Sequence, residues 1–477
     1  VPVPVPVTRT LGVRPHRRPL GIPAGLLSSV PPDPRLTVRE SREGSSRLPL
    51  GDPFALHGCV LTPDEALEDH HVLISGGQVQ EVRASVPGGT HVVETGGVVM
   101  PGLIDLHGHP EYNVFAAWEP PRVYANRYAW RRSEEYAAVV RRPWALFSGT
   151  GSTGDGTPSL QRELTRYAEA RALVGGCTAI QGASGKYPDK HESLVRNVDL
   201  RLFGGHHARS LIDLGRATAD QRARLRQLIG TGEVTALYVH LAEGTDERSR
   251  AEFDDLVDAG LLTPATVIIH GTALSPAQWG QVADAGAKLV WSPQSNLRLY
   301  GRTTDAAAAL AAGVPVALGA DWLPTGSSCL LDEARVARRL FAQQGVTVAP
   351  ERLVRMLTSA AADIAGLGTT LGRLGPGRPA DLVVLERLAD DPWESVLHAD
   401  RRAVELVVLG GDVAYGRADW VDALTGTAGS EQVYAWGKPM VLDLRYSVTG
   451  SEGPPPRLAD LRATLLGRHP QTGPILA

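Results

Sequence analysis

The chain has 477 residues, 43% of them hydrophobic and 21% charged, which is more than one hydrophobic core usually serves and too apolar for a disordered polymer. A formal charge of −4 excludes the strong basic field that draws nucleic acid or an anionic membrane surface, and leaves a small-molecule partner as the expectation. The three cysteines, Cys59, Cys177 and Cys329, form no C-x-x-C pair; this excludes a disulfide framework and a thiolate zinc site and fits a reducing cytoplasm.

Residues 1–51 open with Val-Pro-Val-Pro-Val-Pro-Val and stay rich in Pro, Arg and Ser. Such a segment disfavours helix and offers little apolar surface to bury, so it reads as an arm or linker. It lacks the apolar stretch of a signal peptide, and no run in the chain approaches the ~20 apolar residues that cross a bilayer. A cytoplasmic location is expected, with oligomeric state left open.

From 52 to 99, short apolar stretches such as His71-Val72-Leu73-Ile74 and His91-Val92-Val93 alternate with Gly and Pro clusters, the pattern of small strands. The texture returns in Ala380–Leu385 and in Val404–Leu409, the latter followed by the turn signal Gly410-Gly411. Residues 52–99 and 366–420 are therefore expected to build one small β-sandwich from both ends of the chain. Residues 421–477 form a carboxy-terminal extension.

The middle, 100–365, alternates apolar strand-like runs with helical segments, as parallel βα units require. Strands are predicted to end at His107, His240, His270, Ser292 and Asp321. Thr178–Gln181 reads as the second strand, 190–210 is ambiguous, and a patterned helix spans Leu330 to Gln344. The fold class is α/β, a (β/α)8 barrel with the composite sandwich attached.

Pro101-Gly102-Leu103-Ile104-Asp105-Leu106-His107-Gly108-His109 is the most informative stretch. Side chains two apart on a strand point to one face, so His107 and His109 can both reach one ion at the strand's end. Further apolar runs close on His240, on His270 and on Gly319-Ala320-Asp321. In a parallel barrel all such ends converge on one rim, where active sites of this architecture lie. Each residue alone also fits a structural histidine or a helix-capping aspartate. In this order together, histidines and a carboxylate suit zinc.

These motifs resemble the amidohydrolase superfamily, in its cytosine deaminase and triazine hydrolase branch. Pro101–His109 is similar to the family's first-strand motif, and His240-Leu241-Ala242-Glu243 to its H-x-A-E. His270 resembles the sixth-strand histidine, Ser295–Leu299 the S-N-x-K-L segment, Asp321 the eighth-strand aspartate, and Leu371–Val383 the return to the small domain. The resemblance covers about 52 to 415. It implies one divalent ion, zinc with iron or manganese as alternatives, held by His107, His109, His240 and Asp321. Glu243 would move protons, and His270 would orient water or leaving group. Catalytic roles thus fall to Glu243, His270 and Asp321. No lysine closes a convincing fourth strand, so a carbamate bridging two metals is not expected; Lys186 is the nearest candidate.

One departure stands out. Where relatives commonly carry a histidine before the seventh-strand proline, this chain has Trp291-Ser292-Pro293. The activity implied is hydrolysis of a C–N bond of a small molecule by metal-activated water, with ring deamination favoured over lactam or amide hydrolysis and halide displacement. A catalytically inactive binding protein on the same barrel is the rival of another class; it would have no reason to keep the ligand set and Glu243 together. Residues 112–147 hold nine of the chain's 26 aromatics, which could pack this insertion or wall a pocket. His206-His207 could reach the same rim or lie on the surface.

Overall fold

Strands from the two ends of the chain share one sheet because their side chains alternate strictly. Val98, Met100, Val383, Leu385, Val407 and Leu409 belong to the core shared with the helices, while Val99, Leu382, Val384, Leu406 and Val408 belong to a second, separate core. A period of two with both faces buried is what a central strand needs. The computed structural model describes residues 9–10, 53–148, 158–182, 193–200, 202–203, 205–425, 430–444 and 457–472. Lys186 and nearly all of the amino-terminal arm lie outside the described residues.

This sheet has nine strands, in the order Glu431–Ala435, Lys438–Leu442, Asp412–Arg417, Val404–Leu409, Leu382–Leu385, His91–Pro101, Phe54–Leu61, Ala66–Ser75 and Gln78–Arg83. The seam between the two ends of the chain is the antiparallel pairing of Val98–Pro101 with Leu382–Leu385. Gly410 and Gly411 both take positive φ, 59° and 78°, which a two-residue hairpin demands and a side chain would resist. The sheet continues past residue 420 through the hairpin of Glu431–Ala435 and Lys438–Leu442.

The middle of the chain supplies eight parallel strands. Leu103–Asp105, Cys177–Ile180 and Arg196–Asn197 form one sheet; Ala208–Leu211, Ala236–Leu241, Thr266–His270, Lys288–Trp291 and Val316–Leu318 form another. A parallel bridge joins Gly108 to Asp321, where the Asp321 amide donates to the His107 carbonyl at 2.8 Å. Along these strands Ala236, Tyr238, Val267, Ile269 and Val290 face one core, and Leu237, Val239, Ile268 and Leu289 pack with Phe253, Leu256, Trp279 and Phe341 of the helices. The helices start on local signals. Thr218 and Ser275 each make a reciprocal capping box before Ala219–Gly230 and Pro276–Asp284.

Two strand ends differ from the sequence reading. The strands stop at Asp105 and Leu318, so His107 and Asp321 sit two and three residues further on, in the turns. The ambiguity over 190–210 has a plain cause: Arg196–Asn197 is a two-residue strand with no apolar run of its own. The predicted helix from Leu330 runs to Gln343.

A long insertion follows the first of these strands and reaches Ser148 through the short helices Arg127–Arg131 and Arg142–Ser148. The carboxy-terminal helix Leu458–Arg468 braces it: Leu465 joins the core of Val114 and Phe147, and Arg468 donates to the carbonyls of Leu146 and Pro158 at 2.9 and 3.1 Å. Among the described residues no helix is long and apolar enough to cross a membrane.

Candidate metal centre

Five of the sequence-predicted residues meet where the ends of the parallel strands and the turns after them face one another. His107 Nε2 lies 3.5 Å from Asp321 Oδ1 and His109 Nε2 lies 3.6 Å from the same oxygen. His107 Nε2 is also 3.2 Å from His240 Nε2. Two groups place donor atoms within 4.8 Å of one another: His107, His240 and His270, and His107, His109 and Asp321. His107 is common to both, at the centre.

The local chain is shaped for this convergence. Ala242, His270 and Asp321 hold φ of 53°, 71° and 61°, a left-handed conformation that costs a non-glycine residue energy and concentrates at functional sites. Gly319 lets the Asp321 turn approach: a Cβ there would stand 2.4 Å from His107 Cβ and 2.8 Å from its backbone nitrogen. Asp105 Oδ1 ties the two turns by accepting from the amides of His107 and Ala320 at 3.2 and 3.1 Å.

The second nitrogen of each central ring is committed. His107 Nδ1 meets Ser292 Oγ at 2.7 Å. His270 Nδ1 meets Asn296 Oδ1 at 2.9 Å, and the amide's orientation follows from its neighbours. Thr304 Oγ1 donates to the His270 carbonyl at 2.6 Å and so accepts from Asn296 Nδ2 at 3.1 Å, which turns Asn296 Oδ1 towards the ring. An amide oxygen only accepts, so Nδ1 of His270 carries the hydrogen and Nε2 offers a lone pair. That Nε2 is 3.7 Å from Glu243 Oε2.

Burial dominates the electrostatics. It holds the imidazoles of His107 and His240 well below their ordinary range, with neighbouring histidines adding to the effect, and takes His109 down to about 4. It pushes the Asp321 carboxyl well up and Asp105 up to about 7, the latter opposed by the Ala320 and His107 amides. Neutral imidazole is the form that ligates a cation. His107 Nε2, 3.2 Å from His240 Nε2 and 3.5 Å from the buried Asp321 Oδ1, which His109 Nε2 also approaches at 3.6 Å, belongs to a donor set that a divalent ion fits. The ion would supply the charge that stabilises Asp321 ionised.

Sequence reasoning missed several residues that support the site. Tyr300 donates to Glu243 Oε1 at 2.5 Å and accepts from Trp130 Nε1 at 2.8 Å. The buried Arg127 donates to the His240 carbonyl at 3.1 Å and lies 3.2 Å from Glu252 and 3.7 Å from Asp213. Trp322 follows Asp321 directly, 6.5 Å from the His109 ring, centroid to centroid. The packing reading of the aromatic insertion holds. Val114, Phe115, Trp118, Trp130 and Phe147 form a small core of their own, while Tyr112, Trp130 and Tyr136 surround Trp322 at 5.5, 5.7 and 6.1 Å. His206 and His207 are exposed and belong to neither donor group.

One signal could have found Tyr300. It lies four residues after Asn296 on the helix Pro293–Tyr300, and residues four apart share a helix face.

The chain's likenesses agree with this geometry. A family model described as the amidohydrolase family matches residues 228–414. A 5-methylthioadenosine/S-adenosylhomocysteine deaminase of Halobacterium salinarum is 26% identical over 398 residues, covering 76% of this chain and 90% of its own length. An adenosine deaminase of Xanthomonas campestris with bound zinc superposes with a TM-score of 0.63 at 17% identity, over 88% of this chain and 98% of that one. An atrazine chlorohydrolase of Arthrobacter aurescens complexed with zinc superposes with a TM-score of 0.61 at 19% identity, over 76% and 94%. At these identities the two superpositions speak for the fold.

Proposed function

We infer that this chain, a member of the amidohydrolase superfamily in its deaminase branch, is a metal-dependent hydrolase that breaks a C–N bond of a small molecule, removing the amino group of an aminated heterocyclic ring. The observation that supports this reading is that His107 stands in two donor groups at once, one with His109 and Asp321 and one with His240 and His270, and that Glu243 lies beside His270. We read the eight parallel strands as a closed (β/α)8 barrel, the nine-stranded sheet as its companion small sandwich, and the rim as one mononuclear site. Zinc suits three imidazoles and a carboxylate.

Such an ion, when bound, lowers the pKa of water towards about 7 and so supplies a nucleophile at neutral pH. The protein's residues do the rest. Asp321 accepts a hydrogen bond from the attacking water, and Glu243 takes the proton that water gives up. Glu243 returns it to the leaving nitrogen, so that ammonia departs instead of an amide anion. His270 presents its Nε2 lone pair to a donor on the substrate or the water, with Asn296 and Thr304 holding the tautomer. The buried aromatic rings around Trp322 suit a planar substrate and exclude bulk water from the reaction.

The similarity to a 5-methylthioadenosine/S-adenosylhomocysteine deaminase points to an amino-purine as the first compound to try. Ammonia release from a panel of aminated purines and pyrimidines tests the reading. Addition of water without ammonia would replace deamination with ring opening or amide hydrolysis. In the responding assay Glu243→Gln keeps shape and hydrogen bonding but cannot carry the proton; turnover should fall by about 10²–10⁴ with metal content retained. Near-normal turnover would remove Glu243 from the mechanism.

A further inference from the structure

The oxygens of Glu243 are not equivalent. Oε1 receives the Tyr300 hydroxyl at 2.5 Å, while Oε2 faces His270 Nε2 at 3.7 Å. The carboxylate and the tyrosine are both buried, with exposures of 4% and 3%. The direction of the Tyr300 bond is decided one residue further away. An indole N–H can only donate, so Trp130 Nε1, 2.8 Å from the Tyr300 oxygen, takes up a lone pair of that oxygen and leaves its single hydrogen for Glu243.

We propose that Tyr300 is a positioning residue for Glu243: with Trp130 fixing its hydroxyl, it commits Oε1 as an acceptor and leaves Oε2 as the oxygen that takes and returns the proton. A carboxylate whose two oxygens compete for the proton spends part of its time with the proton on the wrong side. Here the wrong side is closed. The proton taken from water sits on Oε2, on the side of His270 and the proposed metal ligands, and leaves from the same oxygen to the departing nitrogen. Tyr300 keeps its own hydrogen throughout, so the relay needs no further acid or base.

The arrangement also ties the insertion to the reacting group. Trp130 lies in the helix Arg127–Arg131, and the same segment is stitched to the strand end. The Arg127 amide donates to the Glu243 carbonyl at 3.1 Å, the Thr245 amide to the Ala125 carbonyl at 2.7 Å, and Asn126 bridges Gly244. Glu243 is therefore set for proton transfer only when this segment is seated.

The proposal rests on Glu243 being the proton carrier, and a double-mutant cycle on the holoenzyme separates the two claims. Tyr300→Phe should lower kcat by about 10- to 100-fold, the scale of a hydrogen bond to a charged group, with KM changed by less than about threefold and metal content unchanged. Trp130→Phe should lower kcat in the same direction by less. Neither change should cost more in a Glu243→Gln background, because there is no proton left to direct. Equal fold-losses in both backgrounds, or a loss confined to KM, would show a packing role and overturn the proposal. Normal turnover of Glu243→Gln alone would overturn both claims; a slow Glu243→Gln with a normal Tyr300→Phe would overturn this one only. A readout free of substrate is the indole N–H signal of Trp130 in a ¹⁵N spectrum, assigned with Trp130→Phe. It should resist hydrogen exchange in the holoenzyme and lose that protection in Tyr300→Phe; exchange as fast as that of an exposed tryptophan would overturn the proposal whatever the turnover.

Discussion

The floor and the roof of the site are built on different principles. The floor is a set of parallel-strand ends and the turns that follow them, and each delivers one or two polar side chains: His107 and His109, His240 and Glu243, His270, Asp321. The roof is an assembly of rings from segments far apart in the chain, with Tyr112, Trp130 and Tyr136 from the insertion, Tyr300 from one helix and Trp322 from another turn. Position in the floor is imposed by backbone geometry, down to the left-handed φ of His270 and Asp321. Position in the roof is imposed by ring packing together with directed hydrogen bonds, from Trp130 to Tyr300 and from Trp322 to Thr325. In the proposed reading the floor holds the ion and moves the proton, and the roof is the ring cluster packed beside it.

If that division is right, damage to the two layers should separate cleanly. Asp321→Ala removes the carboxylate of the donor set and should give the largest effect. Metal content should fall from about one equivalent per chain towards zero and turnover should go with it, because the remaining imidazoles leave too few donors for tight binding. The fold should survive, since the Asp321 amide, which the substitution keeps, donates to the His107 carbonyl and joins the two turns. Elemental analysis after gel filtration, beside a circular-dichroism melt, checks both halves. Two metals per wild-type chain would reject the single-ion floor.

Trp322→Ala attacks the roof one residue away. The ring is 5% exposed and touches rings from three other positions, so its loss leaves a cavity that neighbours can fill only in part. Large-to-small changes of this kind cost about 3–5 kcal/mol. Thermal or denaturant unfolding should show that loss while metal content stays near one equivalent. A variant that kept its stability but lost its metal would merge roof and floor into one unit.

The two layers were also unequally legible in the sequence. His107, His109, His240, His270 and Asp321 could be read because each follows its own apolar run, and a strand's period of two is written locally. The shared sheet of the chain's ends was legible in short apolar runs set off by turn residues, His91–Val93, Ala380–Leu385 and Val404–Leu409. The short strand Arg196–Asn197 was not, having no run to mark it. Trp130 and Arg127 were illegible for a different reason. Their partners lie 170 and 113 positions away, and nothing in the residues around them says which distant turn they will meet.

Ser292 sits between these cases and gives the smallest and most discriminating test. It occupies the position before Pro293 where a histidine was expected from the resemblance, and its hydroxyl meets His107 Nδ1 at 2.7 Å. If a metal engages Nε2 of His107, this bond to the other nitrogen fixes the ring's orientation and tautomer, as partners of ligating histidines do elsewhere. Ser292→Ala removes the bond with almost no change in volume, so packing in the roof should be untouched. Metal affinity should weaken by about 10- to 100-fold, the usual cost of losing such a partner, with unfolding of the metal-free protein little altered. Competition with a chelator measures the first and a melt of the stripped protein the second. Unchanged affinity would mean that His107 is held by its backbone and by the close approach of Gly319 alone, and the floor would then owe its geometry to the turns without help from the side chains beneath them.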